Sequence, residues 1–240
     1  MTSSMEFARY AVYWAPEEAD PLHAFGATWL GHDPTSAGPV VQRNRLGLPA
    51  ALADDLTAEP RRYGLHATLK APFRAKPGVH DAHIVEVTAA LARSVAAFKT
   101  ELLRLTNLQG FLALCPQAPS PALDDLARRC VTELDFLRAP LSCAERTRRN
   151  PQHLSPEQRQ LLETWGYQHV LQYFRFHITL TKRLTEAERI VVAPVLETAT
   201  RPFCSQPFSV NAIALFGDPG GGRPFRLIQR FPLSAAREAA

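Results

Sequence analysis

Two stretches of the chain alternate between apolar and polar residues in a way that predicts β-strands. Residues 62–70, "RYGLHATLK", and residues 173–181, "YFRFHITLT", each place a histidine and a threonine on one face and mainly apolar residues on the other. Such a polar row is costly to bury unless it meets water or a ligand. The two polar faces are therefore candidate walls of a binding site.

The remaining pattern predicts a mixture of helices and strands. Apolar residues recur at helical spacing in residues 80–99, and residues 155–166 begin with Ser-Pro-Glu-Gln, a good helix start. A loop rich in proline and glycine is expected after residue 31, a basic stretch at 145–150, and a kink or break at Pro194. Strands are predicted at 9–16, 63–73, 175–181, 208–217 and 225–233, a hairpin at 102–117 that turns near 107–110, and further helices at 20–31, 120–137 and 185–199.

The order of these elements repeats along the chain. A helix and a hairpin follow "HATL", and a helix and a hairpin also follow "HITL". The chain therefore looks like two similar halves, each with a His-x-Thr strand, joined by a helical insert at about 118–167. Strands next to hairpins and mixed with helices indicate an α+β fold with antiparallel pairing. We expect a single two-lobed domain over residues 1–240.

Composition narrows the class of protein. The chain has 240 residues, of which 46% are hydrophobic, as is typical of a soluble globular protein. It has no apolar run long enough to cross a membrane and no secretory signal, so a cytoplasmic protein is expected. Its four scattered cysteines predict free thiols. The net charge of +4 suits anionic ligands such as phosphate esters, but it is too small to indicate nucleic acid by itself.

The paired His-x-Thr motifs fit the cleavage of a phosphate ester without a metal. Such a reaction needs a base for the attacking oxygen, an acid for the leaving oxygen, and donors for the phosphoryl oxygens. His66 and His177 can act as base and acid because histidine titrates near neutrality. Thr68 and Thr179 follow on the same faces and can donate hydrogen bonds to the phosphate. The pattern does not say which histidine is the base.

Three neighbours share the polar faces of the two strands. Lys70 and Arg175 can balance the charge of a phosphate, and Thr181 is a further candidate for contact with substrate. A solvated strand edge explains all three positions equally well.

Other candidates lie outside the two motifs. Tyr13 and Tyr173 can stack on a sugar or a base, although packing in the core or at its rim also accounts for them. Arg148, in the basic stretch 145–150, is a candidate for a lid over the substrate, and a solvated loop is the alternative. A metal site at His80 and His83 is not favoured because the sequence shows no further ligands.

The two motifs resemble those of the two-histidine phosphoesterase superfamily. "HATL" at 66–69 and "HITL" at 177–180 look like its paired motifs, and flanking text such as "RYAVYWAP" and "FGATWLGHDP" is similar to a branch associated with phosphonate metabolism. The resemblance covers nearly the whole chain. It implies two antiparallel sheets around a V-shaped cleft, chemistry without a metal or other cofactor, and substrates with cyclic or 2′-linked phosphoesters. It also implies that His66 and His177 are acid and base, and that Thr68 and Thr179 bind phosphate.

The expected function is that of a hydrolase that opens a small cyclic phosphodiester. The phosphonate branch suggests a ribosyl cyclic phosphate, by analogy. A second hypothesis is an enzyme of RNA ends, a 2′,3′-cyclic phosphodiesterase or a 2′–5′ RNA ligase-like enzyme, against which the modest charge argues. A third is a non-catalytic sensor of a phosphorylated ligand or an assembly partner. The expected partner is a small phosphorylated substrate, and the expected oligomeric state is a monomer.

Overall fold

The computed structural model describes residues 6–36, 40 and 44–235, which form eight strands and eight helices. The strands are β1 (Arg9–Trp14), β2 (Ala67–Phe73), β3 (Phe98–Leu108), β4 (Phe111–Pro116), β5 (Ile178–Thr179), β6 (Pro207–Val210), β7 (Ala212–Asp218) and β8 (Arg226–Pro232). The helices are α1 (Pro21–Leu30), α2 (Ala50–Leu56), α3 (Ala58–Arg61), α4 (Asp81–Arg93), α5 (Pro121–Glu133), α6 (Cys143–Arg148), α7 (Pro156–Trp165) and α8 (Glu186–Thr200). Short 3₁₀ turns lie at Asp135–Leu137, Pro151–His153, Leu171–Tyr173 and Arg201–Cys204.

The strands form two four-stranded antiparallel sheets, so the predicted α+β fold class is confirmed. The strand order is β2-β1-β7-β8 in one sheet and β5-β4-β3-β6 in the other. Each sheet therefore carries one His-x-Thr strand, β2 or β5, at its edge. The hairpin β3–β4 follows the first motif along the chain but pairs with β5, whereas β7 follows the second motif and pairs with β1, the neighbour of β2. The two repeated halves thus exchange their hairpins, which ties the sheets together.

Aromatic side chains from both sheets meet in the core. Trp14 of β1 packs edge-to-face on Phe208 of β6, with ring centroids 4.6 Å apart, and Phe176 lies 6.1 Å from Trp14. All three rings are buried, and each contributes roughly 1.5–3 kcal/mol through the hydrophobic effect. The indole Nε1–H of Trp29 in α1 donates to the carbonyl of Leu180 at 2.9 Å. This bond fixes the segment that follows β5.

Several local predictions are confirmed in detail. Helix α1 begins after Asp20, whose carboxylate accepts from the amide of Leu22. Helix α7 begins with the predicted box, in which Ser155 and Gln158 satisfy each other's backbone amides. The turn between β3 and β4 contains Gln109 and Gly110, both with positive φ angles.

Three predicted elements are shorter or divided. Residues 208–217 are two strands in different sheets, because the chain leaves one sheet after Val210 and enters the other at Ala212. The strand predicted at 175–181 is reduced to β5, because only two of its residues pair with β4. The helix predicted at 80–99 ends at Arg93, since the chain must enter β3 five residues later.

Other helices were missed or misjudged. The predicted loop after residue 31 contains α2 and α3, and the basic stretch contains most of α6, whose capping box joins Ser142 and Glu145. Pro194 lies inside α8 and does not break it. Its position is exposed, so the one carbonyl that loses its partner can bond to water, while buried Val192 and Leu196 hold both sides of the helix in the core.

The helical insert packs as a layer on the first sheet. Val131, Leu161 and Val170 form a small apolar cluster of their own, and α5 contacts β2. The four cysteines are unpaired, as predicted. Within the described ranges, every helix is too short or too polar to cross a membrane.

Candidate active site

A cleft of about 550 Å³ opens where the two motif strands approach each other. His66 and Thr68 line it from the first sheet, and Thr179 lines it from the second. The insert supplies a third wall through residues such as Trp165 and Tyr167. The volume is typical of sites for small molecules.

His66 is held by a turn that requires glycine. Its Nδ1 lies 2.9 Å from the carbonyl oxygen of Gly64, which has a φ of 72°. A Cβ at this position would also lie 2.8 Å from the ring of Pro34. Because a carbonyl can only accept, Nδ1 carries the proton, and Nε2 of the neutral imidazole is left as an acceptor.

His177 repeats this arrangement at the edge of the second sheet. Its Nδ1 donates to the carbonyl oxygen of Arg175 at 2.7 Å, again two residues earlier in the chain. Its Nε2 has no hydrogen-bond partner among the described residues. The two motifs therefore present the same tautomer, with the proton-accepting nitrogen free for chemistry.

The two threonines lie beside the histidines. Thr68 Oγ1 is 3.4 Å from His66 Nε2, a long contact that leaves the hydroxyl able to turn toward a ligand. Thr179 is half-buried and lines the cleft on the opposite side. The structure thus places His66, Thr68 and Thr179 in the wall of the cleft, whereas His177, directly before β5, is not among the residues that line it.

Aromatic rings enclose both imidazoles. The centroid of His66 is 4.1 Å from that of Tyr13 and 5.6 Å from that of Tyr63. The centroid of Phe111 is 5.7 Å from that of His177. These rings keep water away from the imidazoles and restrict their orientation.

Burial changes the acidity of both histidines. The pKa of His66 is lowered from 6.5 to about 4, mainly by desolvation; the bond to Gly64 opposes this change, and the charge of nearby His177 adds to it. Desolvation also lowers the pKa of His177, against the effect of the bond to Arg175. Both imidazoles are therefore mainly neutral at pH 7.

Lys70 lies at the floor of the cleft but is mainly engaged by the insert. Its Nζ donates to the carbonyl of Val131 at 3.0 Å and lies 3.4 Å from Asp135. Burial lowers the pKa of Lys70 to about 8, and Asp135 opposes this. Lys70 therefore has a structural role, because it links α5 to β2. Its predicted role in balancing the charge of a substrate stays a prediction.

Of three other sequence candidates, Thr181 and Tyr173 have structural partners and Arg175 is exposed. The Thr181 hydroxyl is buried, accepts from the amide of Leu112 at 3.0 Å and donates to the carbonyl of Lys182 at 2.8 Å. The Tyr173 hydroxyl donates to Glu157 at 2.6 Å, away from the residues that line the cleft. Arg175 is exposed and is also absent from the lining. For Tyr173 and Arg175, packing at the rim and a solvated edge are the better interpretations.

Tyr13 and Arg148 do line the cleft. Tyr13 is fully buried beneath His66, so its ring packs in the core of the site rather than standing open for a sugar. Arg148 is exposed at the end of α6, and its neighbour Arg149 lies over the ring of Tyr167 at 4.7 Å. The basic stretch is thus part of the wall, which fits the lid hypothesis better than a solvated loop.

Sequence reasoning missed several cationic and aromatic residues of the wall. Arg62 shares the alternating face of His66, so the strand pattern contained a signal for it. Arg9 and Tyr167 lie far from the motifs, and no local pattern marks them, whereas Arg149 falls in the basic stretch 145–150 that the sequence already marks. The cationic residues of the lining are Arg9, Arg62, Lys70, Arg74, Arg138, Arg148, Arg149 and Arg183, against the two carboxylates of Glu59 and Glu145.

This excess of cations makes the cleft suited to an anion. Arg148, Arg149 and Arg183 have no carboxylate partner within the part of the chain that the structure describes. In the same part, no three histidine, cysteine, aspartate or glutamate side chains lie close enough to bind one metal ion together.

One family and two curated proteins match the sequence. The family described as "Protein of unknown function (DUF1045)" matches residues 68–226. The ribose 1,5-bisphosphate phosphokinase PhnN of Janthinobacterium sp. (strain Marseille) is 38% identical over 242 residues, which cover 99% of this chain and 53% of that protein. The protein of the same name from Laribacter hongkongensis (strain HLHK9) is 37% identical over 220 residues, covering 91% and 50%. The chain thus spans about half the length of these relatives.

Two solved structures resemble the fold. E. coli LigT complexed with NADP+ has a TM-score of 0.45 at 14% identity, and a protein described as a phosphoesterase has a TM-score of 0.43 at 16% identity. In each case, the match covers 95% of this chain and 99% of the other. Likeness at this level says nothing about the reaction.

Proposed function

The chain belongs to the DUF1045 family, and from the paired histidine motifs, of which His66 lines the cleft and His177 lies close enough to affect its pKa, we propose that it is a phosphoesterase that hydrolyses a small cyclic phosphodiester without a metal. The observation that carries the proposal is the matched pair of hydrogen bonds at His66 and His177. Each bond holds Nδ1 protonated and leaves Nε2 as an acceptor. Two such nitrogens on facing strands are what acid–base catalysis at one phosphorus requires.

In the proposed reaction, a neutral histidine removes a proton from water while the water oxygen forms a bond to phosphorus. The bond between phosphorus and one ester oxygen of the ring breaks, and the protonated histidine gives its proton to that oxygen. The products are a phosphate monoester and a free hydroxyl group. Because a bound phosphate anion raises the pKa of a nearby imidazole, the substrate itself favours the protonated partner.

The larger pKa shift of His66 favours one assignment of roles. His66 has the pKa of about 4, so it is the histidine that stays neutral and accepts the proton. His177 then carries the proton to the leaving oxygen. Thr68 and Thr179 donate hydrogen bonds to the phosphoryl oxygens, and the cationic wall stabilises the charge that they gain.

The substrate is proposed to be a cyclic phosphate of ribose, linked to phosphonate metabolism. The names of the curated relatives concern a phosphorylated ribose. This chain spans half of their length and contains no Gly-x-x-x-x-Gly-Lys-Ser/Thr loop for a nucleotide phosphate, so we assign it ester cleavage rather than phosphorylation. The cleft volume of about 550 Å³ also favours a small ester over an RNA strand.

The test is hydrolysis of ribose cyclic phosphates and nucleoside 2′,3′-cyclic phosphates by the purified protein in the presence of a chelator. His66→Asn and His177→Asn remove Nε2 but retain an N–H for the backbone carbonyl. Each is expected to lower kcat by about 10²–10⁴-fold with little change in melting temperature. His153→Asn is the matched control, because His153 is exposed and belongs to "HLS", a sequence that imitates the motif outside any strand.

The pH profile separates the roles and the alternatives. The wild type is expected to show a bell-shaped rate, with the acidic limb missing in His66→Asn and the basic limb missing in His177→Asn. Binding of cyclic esters with no turnover would instead support a sensor. Turnover of RNA ends alone, with affinity that falls steeply with salt, would support the RNA enzyme.

A further inference from the structure

A second depression continues from the cleft toward the glycine-rich turn at 220–222. It has a volume of about 410 Å³, and Arg9, Arg62 and Arg148 line both it and the main cleft. Arg74 and Glu145 also line both spaces, but they pair with each other at 2.9 Å and so add no net charge. The guanidinium groups of the first three residues therefore stand where the two spaces join. We call them the distal arginine site.

The distal arginine site has more positive charge than its carboxylate can neutralise. Arg9 and Arg62 share one oxygen of Asp218, at 2.9 Å from Arg9 Nε and 3.3 Å from the Arg62 guanidinium. Asp218 is buried at 2% exposure, whereas the side chains of Arg9 and Arg62 are 22% and 36% exposed, so the two guanidinium groups reach the solvent-filled space. One carboxylate for two arginines leaves a net charge of +1, to which unpaired Arg148 adds a second.

Arg62 also has an unused hydrogen-bond donor. Its Nε is buried and has no partner among the described residues. Leaving a buried donor on a charged group unsatisfied costs about 1–3 kcal/mol or more, so the site is built for a further acceptor. Arginine matches the oxygens of a phosphate through paired donors, which makes a phosphate monoester the fitting ligand.

A short aromatic path joins this site to His66. The guanidiniums of Arg9 and Arg62 lie 5.7 and 5.9 Å from the ring of Phe225. Phe225 lies 4.9 Å from Tyr63, whose ring is 5.6 Å from His66. Arg62 is also only four residues before His66, so their Cα atoms are at most about 14 Å apart. One sugar can therefore bridge the two places.

We propose that the distal arginine site binds a second phosphate, so that the substrate is a cyclic phosphodiester of a sugar that also carries a phosphate monoester. The position of the cyclic ester rests on the proposed function. The monoester contacts Arg62 Nε and Arg148, and it anchors the sugar while the ring ester reacts at the histidines. Binding energy from this remote group raises the rate for the doubly phosphorylated substrate.

The first experiment compares ribose cyclic phosphates with and without a 5-phosphate. The wild type is expected to prefer the doubly phosphorylated compound by about 10–100-fold in kcat/KM. The preference should fall below threefold in Arg148→Gln and Arg62→Gln. Arg148 is exposed, so its variant stays informative if loss of Arg62 from Asp218 impairs folding. Arg159→Gln is the control, an equal charge change at an exposed position of α7.

The second experiment measures binding of ribose 5-phosphate by calorimetry, which does not depend on turnover. The two arginine variants should weaken binding at least tenfold, while a Thr68→Val, Thr179→Val double variant should weaken it less than threefold.

No binding to the wild type, or binding that survives both arginine variants, would overturn the distal site. Equal turnover of the two cyclic esters would overturn it too and leave the phosphoesterase standing. Turnover of neither, with arginine-dependent binding, would overturn the phosphoesterase and keep the site.

Discussion

The ring of Tyr13 lies against the imidazole of His66, with centroids 4.1 Å apart and an angle of 36° between the planes. Tyr13 belongs to β1 and faces Thr68 of β2 in the pairing register. Its other neighbours include Phe216, whose centroid is 5.0 Å away. The contact means that the central strand of the sheet orients the histidine on the edge strand.

We therefore expect Tyr13→Leu to lower kcat about tenfold, because a loosened imidazole loses its alignment with the reacting oxygen. Tyr13→Phe keeps the ring and should stay within twofold of the wild type. Steady-state kinetics alongside melting temperatures would distinguish misalignment from unfolding. A Phe variant as slow as the Leu variant would show that the hydroxyl, rather than the ring, is what matters.

Thr179 and Thr181 share a strand face but should behave in opposite ways when changed to valine. Both threonines line the cleft, but only the Thr179 hydroxyl has no hydrogen-bond partner among the described residues, so its valine variant should lose about 10–100-fold in kcat/KM with unchanged stability. The Thr181 hydroxyl joins Leu112 to Lys182, so valine there should cost about 1–3 kcal/mol of unfolding free energy. Urea titration and kinetics on both variants check this, with Thr179→Ser and Thr181→Ser as matched controls.

Lys70→Met tests the anchoring role of a buried cation. We expect its stability at pH 7 to match or exceed that of the wild type, because burial disfavours the ammonium and Asp135 keeps Arg138 at 2.8 Å. The pKa of Lys70 is about 8 in the folded protein and 10.5 in the unfolded chain. The unfolding free energy of the wild type should therefore increase relative to that of the variant as the pH rises through this range. Thermal melts across that range would measure the difference. A strongly destabilised variant would show that the bond to Val131 dominates.

The sequence predicted the motif strands because alternation is a local pattern. Alternate residues before, within and after β5 are buried, namely Phe176, Ile178 and Leu180, and His177 and Thr179 fall between them. Capping residues located α1 and α7 for the same local reason. These features need no knowledge of what packs against them.

The rest depended on contacts between distant residues. Whether Lys70 meets solvent or α5 is decided by the insert, 61 positions away at Val131. Residues 208–217 divide into two strands because each part pairs with a different sheet. Asn211, which lies between the two strands, is not a residue type that predicts such a break. The pairing of Arg149 with Tyr167 likewise arises only when α6 and α7 fold together.

The lowered pKa of the half-buried His66 should make the fold sensitive to acid. Its pKa is about 4 in the folded protein and near 6.5 when unfolded. As pH falls from about 6.5 to about 4, the unfolded chain binds a proton that the folded chain does not, so the unfolding free energy decreases across this window. His66→Asn removes the group that binds this proton. The unfolding free energy of the variant should therefore decrease less than that of the wild type as the pH falls. Urea unfolding at about pH 7 and about pH 5 measures the difference, with His153→Asn expected to follow the wild type. Parallel losses in the wild type and His66→Asn would mean that the imidazole is not desolvated as its surroundings indicate.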